Sequence, residues 1–401
     1  MSLNDTPSSE RVHIGIFGRR NAGKSSLMNA VTGQQLAVVS DIPGTTTDPV
    51  RKAMELLPLG PVLVIDTPGI DDTGELGGKR VEKARQILRQ SDIAILVVDA
   101  SSGKNSDDTE LLTLFEKMGV PHITAYSKCD LISSADAGLM RDIPQDEIYV
   151  SAVTGENIYE LKERMARVLK TDGEKRRIVA DLLSPSDFVI LVVPIDKAAP
   201  KGRLILPQQQ TIRDILEADA TAVVVKENEF RKTLDSLGKR PRMVITDSQV
   251  FAKVSAETPP DISLTSFSIL FARYKGTLDA AVKGALELEK ISDGDRILIA
   301  EGCTHHRQCD DIGTVKLPRW IQQFTGKNPE FEFTSSGEFP ENLAQYRLVV
   351  HCGGCMLNDR EMKYRERESV SQGVPFTNFG ILIAHTQGIL KRSISLFQSA
   401  I

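Results

Sequence analysis

The string Gly18-Arg19-Arg20-Asn21-Ala22-Gly23-Lys24-Ser25 has the form G-x-x-x-x-G-K-[ST], and its chemistry is the binding of a nucleotide's phosphates. Glycines let successive backbone N–H groups face phosphate oxygens, and a helix starting at the loop's end adds a favourable dipole. Lys24 is placed to reach the β- and γ-phosphates. The Ser25 hydroxyl is placed to bind Mg²⁺, with Ser26 beside it. The apolar run HIGIF precedes the loop and SSLMNAVTG follows, so the required strand–loop–helix context is present. Asp66-Thr67-Pro68-Gly69 ends another apolar run. There a carboxylate can hold Mg²⁺ through water, and the Gly69 N–H can meet a γ-phosphate. Between the two lies Pro43-Gly44-Thr45-Thr46-Thr47-Asp48, a switch segment in which a threonine, taken as Thr46 with Thr45 beside it, closes on Mg²⁺ only when the γ-phosphate is present. Ser127-Lys128-Cys129-Asp130 supplies base recognition. Asp130 can accept two hydrogen bonds from guanine N1 and N2, which adenine does not offer. Lys128 can lie over the base, and Ser151-Ala152 can contact O6.

A second constellation lies far downstream: Cys303-Thr304-His305 and His351-Cys352-Gly353-Gly354-Cys355. Each follows an apolar run, DRILIAEG or YRLVVH. In a parallel sheet the strand C-termini collect on one edge, so the three sulfurs can converge across a long gap. Gly353 and Gly354 free the backbone for Cys352 and Cys355 to face one centre. Two or three Cys with His is a zinc ligand set. A thiolate-rich site equally suits an iron–sulfur cluster, and the spacing leaves both open. His305 and His351 are candidates for a fourth ligand or for the supporting layer behind the sulfurs. His306 and Cys309 are not required by the pattern. Lys316-Leu317-Pro318-Arg319-Trp320 reads as a packed loop or a contact for an anionic cargo.

The elements that position these residues read as α/β. A polar leader covers 1–10. Over 11–172, runs at 12–17, 62–66, 93–100, 122–127 and 147–152 are continuously apolar, as in strands of a parallel sheet covered on both faces. VEKARQILRQ and NIYELKERMARVLK show helical spacing. The charged run TDGEKRR at 171–177 reads as a linker. Strands at 188–196, 221–227, 242–247 and 261–266 then alternate with helical patterns near 208–218, 228–237 and 248–256. This small βαβ series over 178–266 has no phosphate loop and is expected to serve association. A third α/β part, 267–401, carries strands at 295–302, 329–334 and 346–351 together with the cysteines.

Composition bounds the function. The chain has 401 residues, 41% of them hydrophobic and 26% charged, with a formal net charge of -5. That balance gives no electrostatic reason to expect nucleic-acid binding. No apolar run approaches the roughly 18 residues of a membrane span, and the N-terminus lacks a signal peptide's apolar core. Five cysteines, four of them clustered in one part of the chain, argue against a disulfide framework. A cytoplasmic protein is expected.

Over 11–170 the five nucleotide segments resemble the translation-factor-related GTPases, especially the TrmE and Era branch. Asn21, the PGTTTD switch and Ile70 after Asp-Thr-Pro-Gly carry the resemblance. It implies a K⁺ beside the phosphates, bound with help from Asn21. The apolar Ile70 stands where Ras-like proteins have a water-orienting Gln, so slow, K⁺-stimulated hydrolysis of GTP to GDP is implied. Ser127 departs from the branch, which has Asn there. A serine reaches less far toward the base and the phosphate loop, so guanine specificity rests more on Asp130. Cys129 is expected to be a bystander.

Such a GTPase joined to C-x-H…H-C-x-x-C resembles, over the whole chain, the HydF family of GTPases that mature [FeFe]-hydrogenase. That resemblance implies a GTPase, dimerisation and cluster-binding order and a homodimer. It also implies a [4Fe–4S] cluster on Cys303, Cys352 and Cys355, with an exchangeable fourth position. By the same resemblance the protein is a scaffold receiving a transient di-iron subcluster from radical-SAM maturases and passing it to the apo-[FeFe]-hydrogenase. The alternative is an RNA-modification or ribosome-assembly GTPase with a structural zinc module.

Overall fold

The structure is a computed structural model that describes residues 6–33, 50–67, 75–132, 143–170, 176–194, 204–302, 311–335 and 338–397. The chain divides into two compact units, Met1–Glu174 and Lys175–Ile401.

The first unit is built on one six-stranded sheet. Its strands are β1 (Val12–Phe17), β2 (Val50–Leu56), β3 (Gly60–Asp66), β4 (Ile93–Asp99), β5 (His122–Ser127) and β6 (Glu147–Tyr149), in the order β2-β3-β1-β4-β5-β6. β1 and β4 are buried almost throughout, as their unbroken apolar sequences require. Only β2 runs antiparallel, on β3, as an edge strand with charged residues facing out. Those charges hide it from a search for apolar runs. Helices α1 (Lys24–Thr32), α2 (Glu75–Gln90), α3 (Ser106–Lys117) and α4 (Ile158–Lys170) complete the unit. Asn105 caps α3 by accepting from the Asp108 N–H, and the Asp108 carboxylate in turn accepts from the Asn105 N–H.

The second unit holds two four-stranded parallel sheets. The first comprises β7 (Phe188–Val192), β8 (Thr221–Val225), β9 (Met243–Thr246) and β10 (Ser263–Ser266), ordered β10-β9-β7-β8. Between them run α5 (Leu206–Glu217), α6 (Phe230–Ser236) and α7 (Phe251–Glu257), and α8 (Phe267–Lys275) follows directly. After α9 (Leu278–Leu286), the second sheet comprises β11 (Arg296–Ala300), β12 (Glu330–Thr334), β13 (Leu348–His351) and β14 (Phe376–Asn378), ordered β12-β11-β13-β14. Its helices are α10 (Leu317–Thr325), α11 (Asp359–Ser371), α12 (Phe379–Thr386) and α13 (Leu390–Ile394).

One apolar core joins the two sheets of this unit: Ile190 and Met243 from the first, Phe267 and Leu270 from α8, Ile299 and Val350 from the second. Arg392 of α13 adds polar tethers, donating to the carbonyls of Ser255 in α7 and of Thr258 and Pro259 just after it. The register pairs Ala300 of β11 with His351 of β13, so both strands end on the same sheet edge. Among the described residues, no helix is long and apolar enough to cross a membrane.

Candidate functional site

At the end of β1, Gly18 adopts φ 142°, and a Cβ there would stand 2.3 Å from the Val97 carbonyl oxygen of β4. Only glycine lets the chain leave the sheet at this point. Asn21 (φ 58°) and Gly23 (φ 90°) are left-handed, and α1 begins at Lys24. Lys24 is 8% exposed and donates to the carbonyls of Gly18 at 2.9 Å and Arg19 at 2.7 Å, so its ammonium lies across the loop it must serve. Arg19 is braced from outside by the fully buried Asp108, 3.1 Å away, and by the Gly103 carbonyl at 2.9 Å.

The Ser25 hydroxyl donates to Asp66 Oδ2 at 2.8 Å. The other carboxylate oxygen, Oδ1, is buried without a hydrogen-bond partner among the described residues. Burial raises the Asp66 pKa, and Ser25 and Lys24 pull it back. A buried carboxylate with one uncommitted oxygen beside a hydroxyl fits Mg²⁺, a hard cation that takes oxygen ligands. The switch residues Thr45 and Thr46, and Gly69 with Ile70, lie outside the described residues.

On the base side the Ser127 hydroxyl contacts the phosphate loop, donating to the Ala22 carbonyl at 2.5 Å. It is 4% exposed and ties β5 to the loop from below. Lys128 (φ 58°) donates to the Asn21 carbonyl at 2.9 Å and to Asp99 Oδ2 at 2.7 Å. Burial acts upward on Asp99, but hydrogen bonds from Lys128 and Ser101 outweigh it and hold the carboxyl below its usual range. The exposed Asp130 is steered by Ser151, whose buried hydroxyl donates to Oδ1 at 2.6 Å and accepts the Val153 and Thr154 N–H groups. Ala152 is half-buried in that turn. Cys129 is buried. Burial and the nearby Glu156 push its thiol up to about 11, which keeps it protonated. Sequence reasoning missed Asp99 and the Arg19–Asp108 brace. The Asn-x-x-Asp spacing of the α3 capping box was the one available signal for Asp108.

In the second unit, Cys352 follows β13. Its sulfur accepts N–H bonds from Gly302 at 3.0 Å and Gly354 at 3.4 Å. Gly302 lies so close that a Cβ there would stand 2.9 Å from Leu357. Burial raises the thiol pKa of Cys352, and these N–H groups oppose it. Burial likewise raises Cys355, and Lys275 is the largest opposing influence. Gly354 takes φ 59°, turning the chain between the two cysteines. His351 is fully buried. Arg365 can only donate, so its 3.0 Å contact makes His351 Nε2 an acceptor, and Nδ1–H then donates to the Cys352 carbonyl at 2.7 Å. Burial, with Arg365 beside it, lowers the His351 pKa to about 3. Both ring nitrogens are thus engaged within the fold. Arg365 also pairs with Glu361 at 2.8 Å and lies 5.1 Å from the Phe339 ring centre. Sequence reasoning missed Arg365, Glu361 and Lys275; the i,i+4 Glu361–Arg365 pair on α11 was the one visible hint. Cys303, His305, His306 and Cys309 lie outside the described residues. Among the described residues, no three Cys, His, Asp or Glu side chains form a metal-ligand group. Lys316 and Leu317 to Trp320 fall in a π turn and the start of α10, where Leu317 is buried and Trp320 packs on the core.

The first unit is a P-loop GTPase domain. Residues 13–128 match the model for 50S ribosome-binding GTPases. The tRNA modification GTPase MnmE of Nitrosomonas europaea is 34% identical over 173 residues, 43% of this chain and 37% of that protein. GTPase Der of Kosmotoga olearia is 31% identical over 211 residues, 49% of this chain and 47% of that protein. The chain therefore spans less than half the length of these curated relatives. The solved structure of Aquifex aeolicus Era bound to GDP and aluminium fluoride is 20% identical, covering 66% of this chain and 97% of its own, with a TM-score of 0.36. Residues 178–276 match the hydrogen maturase F dimerization domain, and 279–396 match the hydrogen maturase F tetramerization domain. The chain belongs to the hydrogen maturase F family, with a TrmE-like GTPase domain at its N-terminal end.

Proposed function

We propose that this protein hydrolyses GTP and serves as an iron–sulfur scaffold in the maturation of [FeFe]-hydrogenase. In this reading Cys303, Cys352 and Cys355 hold a [4Fe–4S] cluster. The observation that carries it is the seat of Cys352. Its sulfur takes an N–H bond from Gly302, 50 positions earlier and immediately before Cys303. N–H donors favour the thiolate that an iron ligand requires. His351 supports rather than ligates, since both of its ring nitrogens are engaged; His305 is left as the histidine candidate for the fourth position. When bound, the cluster supplies an iron site able to share a ligand with a di-iron cargo. The chain's own residues orient the sulfurs.

In the nucleotide half, Ser25 and Asp66 hold Mg²⁺, Lys24 meets the β- and γ-phosphates, Asp130 reads guanine, and Asn21 serves a K⁺ that stimulates slow hydrolysis. Thr46 and Gly69 close on the γ-phosphate. The protein self-associates through its second unit, receives the di-iron precursor from radical-SAM maturases and delivers it to the apo-hydrogenase. Anaerobic purification followed by iron, sulfide and zinc analysis with EPR tests the cluster. Cys303→Ser, Cys352→Ser and Cys355→Ser should each lose it while GTP turnover persists; zinc alone in wild-type protein would sink the scaffold reading.

A further inference from the structure

Lys275, the last residue of α8, is 4% exposed. Its ammonium donates to the Gly354 carbonyl at 2.5 Å and the Leu357 carbonyl at 3.0 Å, one on each side of Cys355. Burial lowers its pKa, and the charge of Asp359 at the start of α11, followed by that of Cys355 and Cys352, opposes the lowering. A buried ammonium is costly unless anions or acceptors surround it. The two carbonyls fix its direction, yet they carry only partial charge. Asp359 supplies one negative charge at the pocket's edge, and two thiolates sharing a metal centre would add further full charge on the side of the Gly354 and Leu357 carbonyls. Lys275 also belongs to the stretch matching the dimerization model, whereas the cysteine loop belongs to the stretch matching the tetramerization model. The side chain therefore reaches from one module into the metal loop of the other.

We propose that Lys275 is a positioning residue for the metal centre: it pins the Cys352–Cys355 loop by its backbone and supplies the fixed positive charge that offsets the thiolate-ligated cluster. This rests on the iron–sulfur reading above. A cation at this distance stabilises the more negative, reduced cluster. Removing the charge makes reduction harder and moves the midpoint potential to more negative values. Neither effect requires Lys275 to touch iron.

The test uses full-length protein purified without oxygen, as wild type, Lys275→Met and Lys275→Arg. Iron and sulfide are quantified, and the cluster is titrated potentiometrically with EPR detection. Lys275→Met should shift the reduced-to-oxidised ratio at a fixed potential about tenfold toward oxidised, a displacement of about 59 mV for a one-electron couple. Lys275→Arg should stay within a third of that. Loss of the cluster in Lys275→Met with retention in Lys275→Arg also supports the charge. Equal potentials in all three, or equal cluster loss in both variants, overturns it. Wild-type protein without iron and sulfide removes the cluster reading itself, a result distinct from either.

Discussion

Arg365→Met strips the cation from a fully buried polar cluster. Arg365 is 0% exposed, bonds Glu361 Oε1 at 2.8 Å and His351 Nε2 at 3.0 Å, and faces Phe339. Its loss strands the Glu361 carboxylate, which is 4% exposed and already has Oε2 without a partner among the described residues. Breaking one side of a buried pair costs roughly 3–5 kcal/mol. In a unit of this size each kcal/mol moves the melting midpoint about 2–4 °C, so a fall of about 6–20 °C is expected. Scanning calorimetry of the full chain reads it, with GDP added to identify the nucleotide unit by its upward shift. Arg365→Met combined with Glu361→Leu should recover much of the loss, because an apolar replacement of both charges leaves nothing stranded. A single variant melting within about 3 °C of wild type refutes the reasoning. So does a double variant that melts lower than the single one.

Ser127→Ala removes the donor that meets the Ala22 carbonyl. Leaving that carbonyl unsatisfied costs roughly 1–3 kcal/mol, and if about 1–2 kcal/mol of it falls on the bound state, GDP affinity drops about 5- to 30-fold in a fluorescent-nucleotide titration. Asp130→Asn should exchange guanine for xanthine preference, since an amide donates to the xanthine 2-oxygen where the carboxylate accepts from guanine; competition binding with GDP and XDP checks it. Cys129, held near pKa 11, is thiolate in only about one part in a thousand at pH 8. Mass-spectrometric mapping after iodoacetamide at that pH should find it unmodified. GTP turnover should be faster in KCl than in NaCl at equal ionic strength, and Asn21→Ala should abolish the difference.

The strands that carry chemistry were legible because burial on both faces demands unbroken apolar runs. β1 and β5 have the bounds the sequence suggested, 12–17 and 122–127. β2 was not legible, because this edge strand mixes Arg51, Lys52 and Glu55 with apolar residues in no clean period. β14 has three residues, too few to show any period. The nucleotide loop announced itself by glycines at fixed spacing. The layer behind the cysteines did not: Arg365 and Lys275 look like surface charges in a sequence, and only packing reveals that both are sealed inside. His351 shows the limit from the other side: its type left a ligand and a supporting role equally open, and only packing reveals Arg365 and the Cys352 carbonyl on its two ring nitrogens.

The apolar interior shared by the two parallel sheets bears on how this chain can be dismantled. The seam between the two matched regions, at 276–279, runs through a continuous packing of Phe271 and Leu278 against the residues of both sheets. A fragment cut there would uncover the part of α12 that packs on α8, along with the other apolar surface α8 had covered. Transplanting the cysteine loop onto another scaffold therefore means carrying everything from about Ile178 onward, and gene fragments that stop at the seam should yield insoluble product.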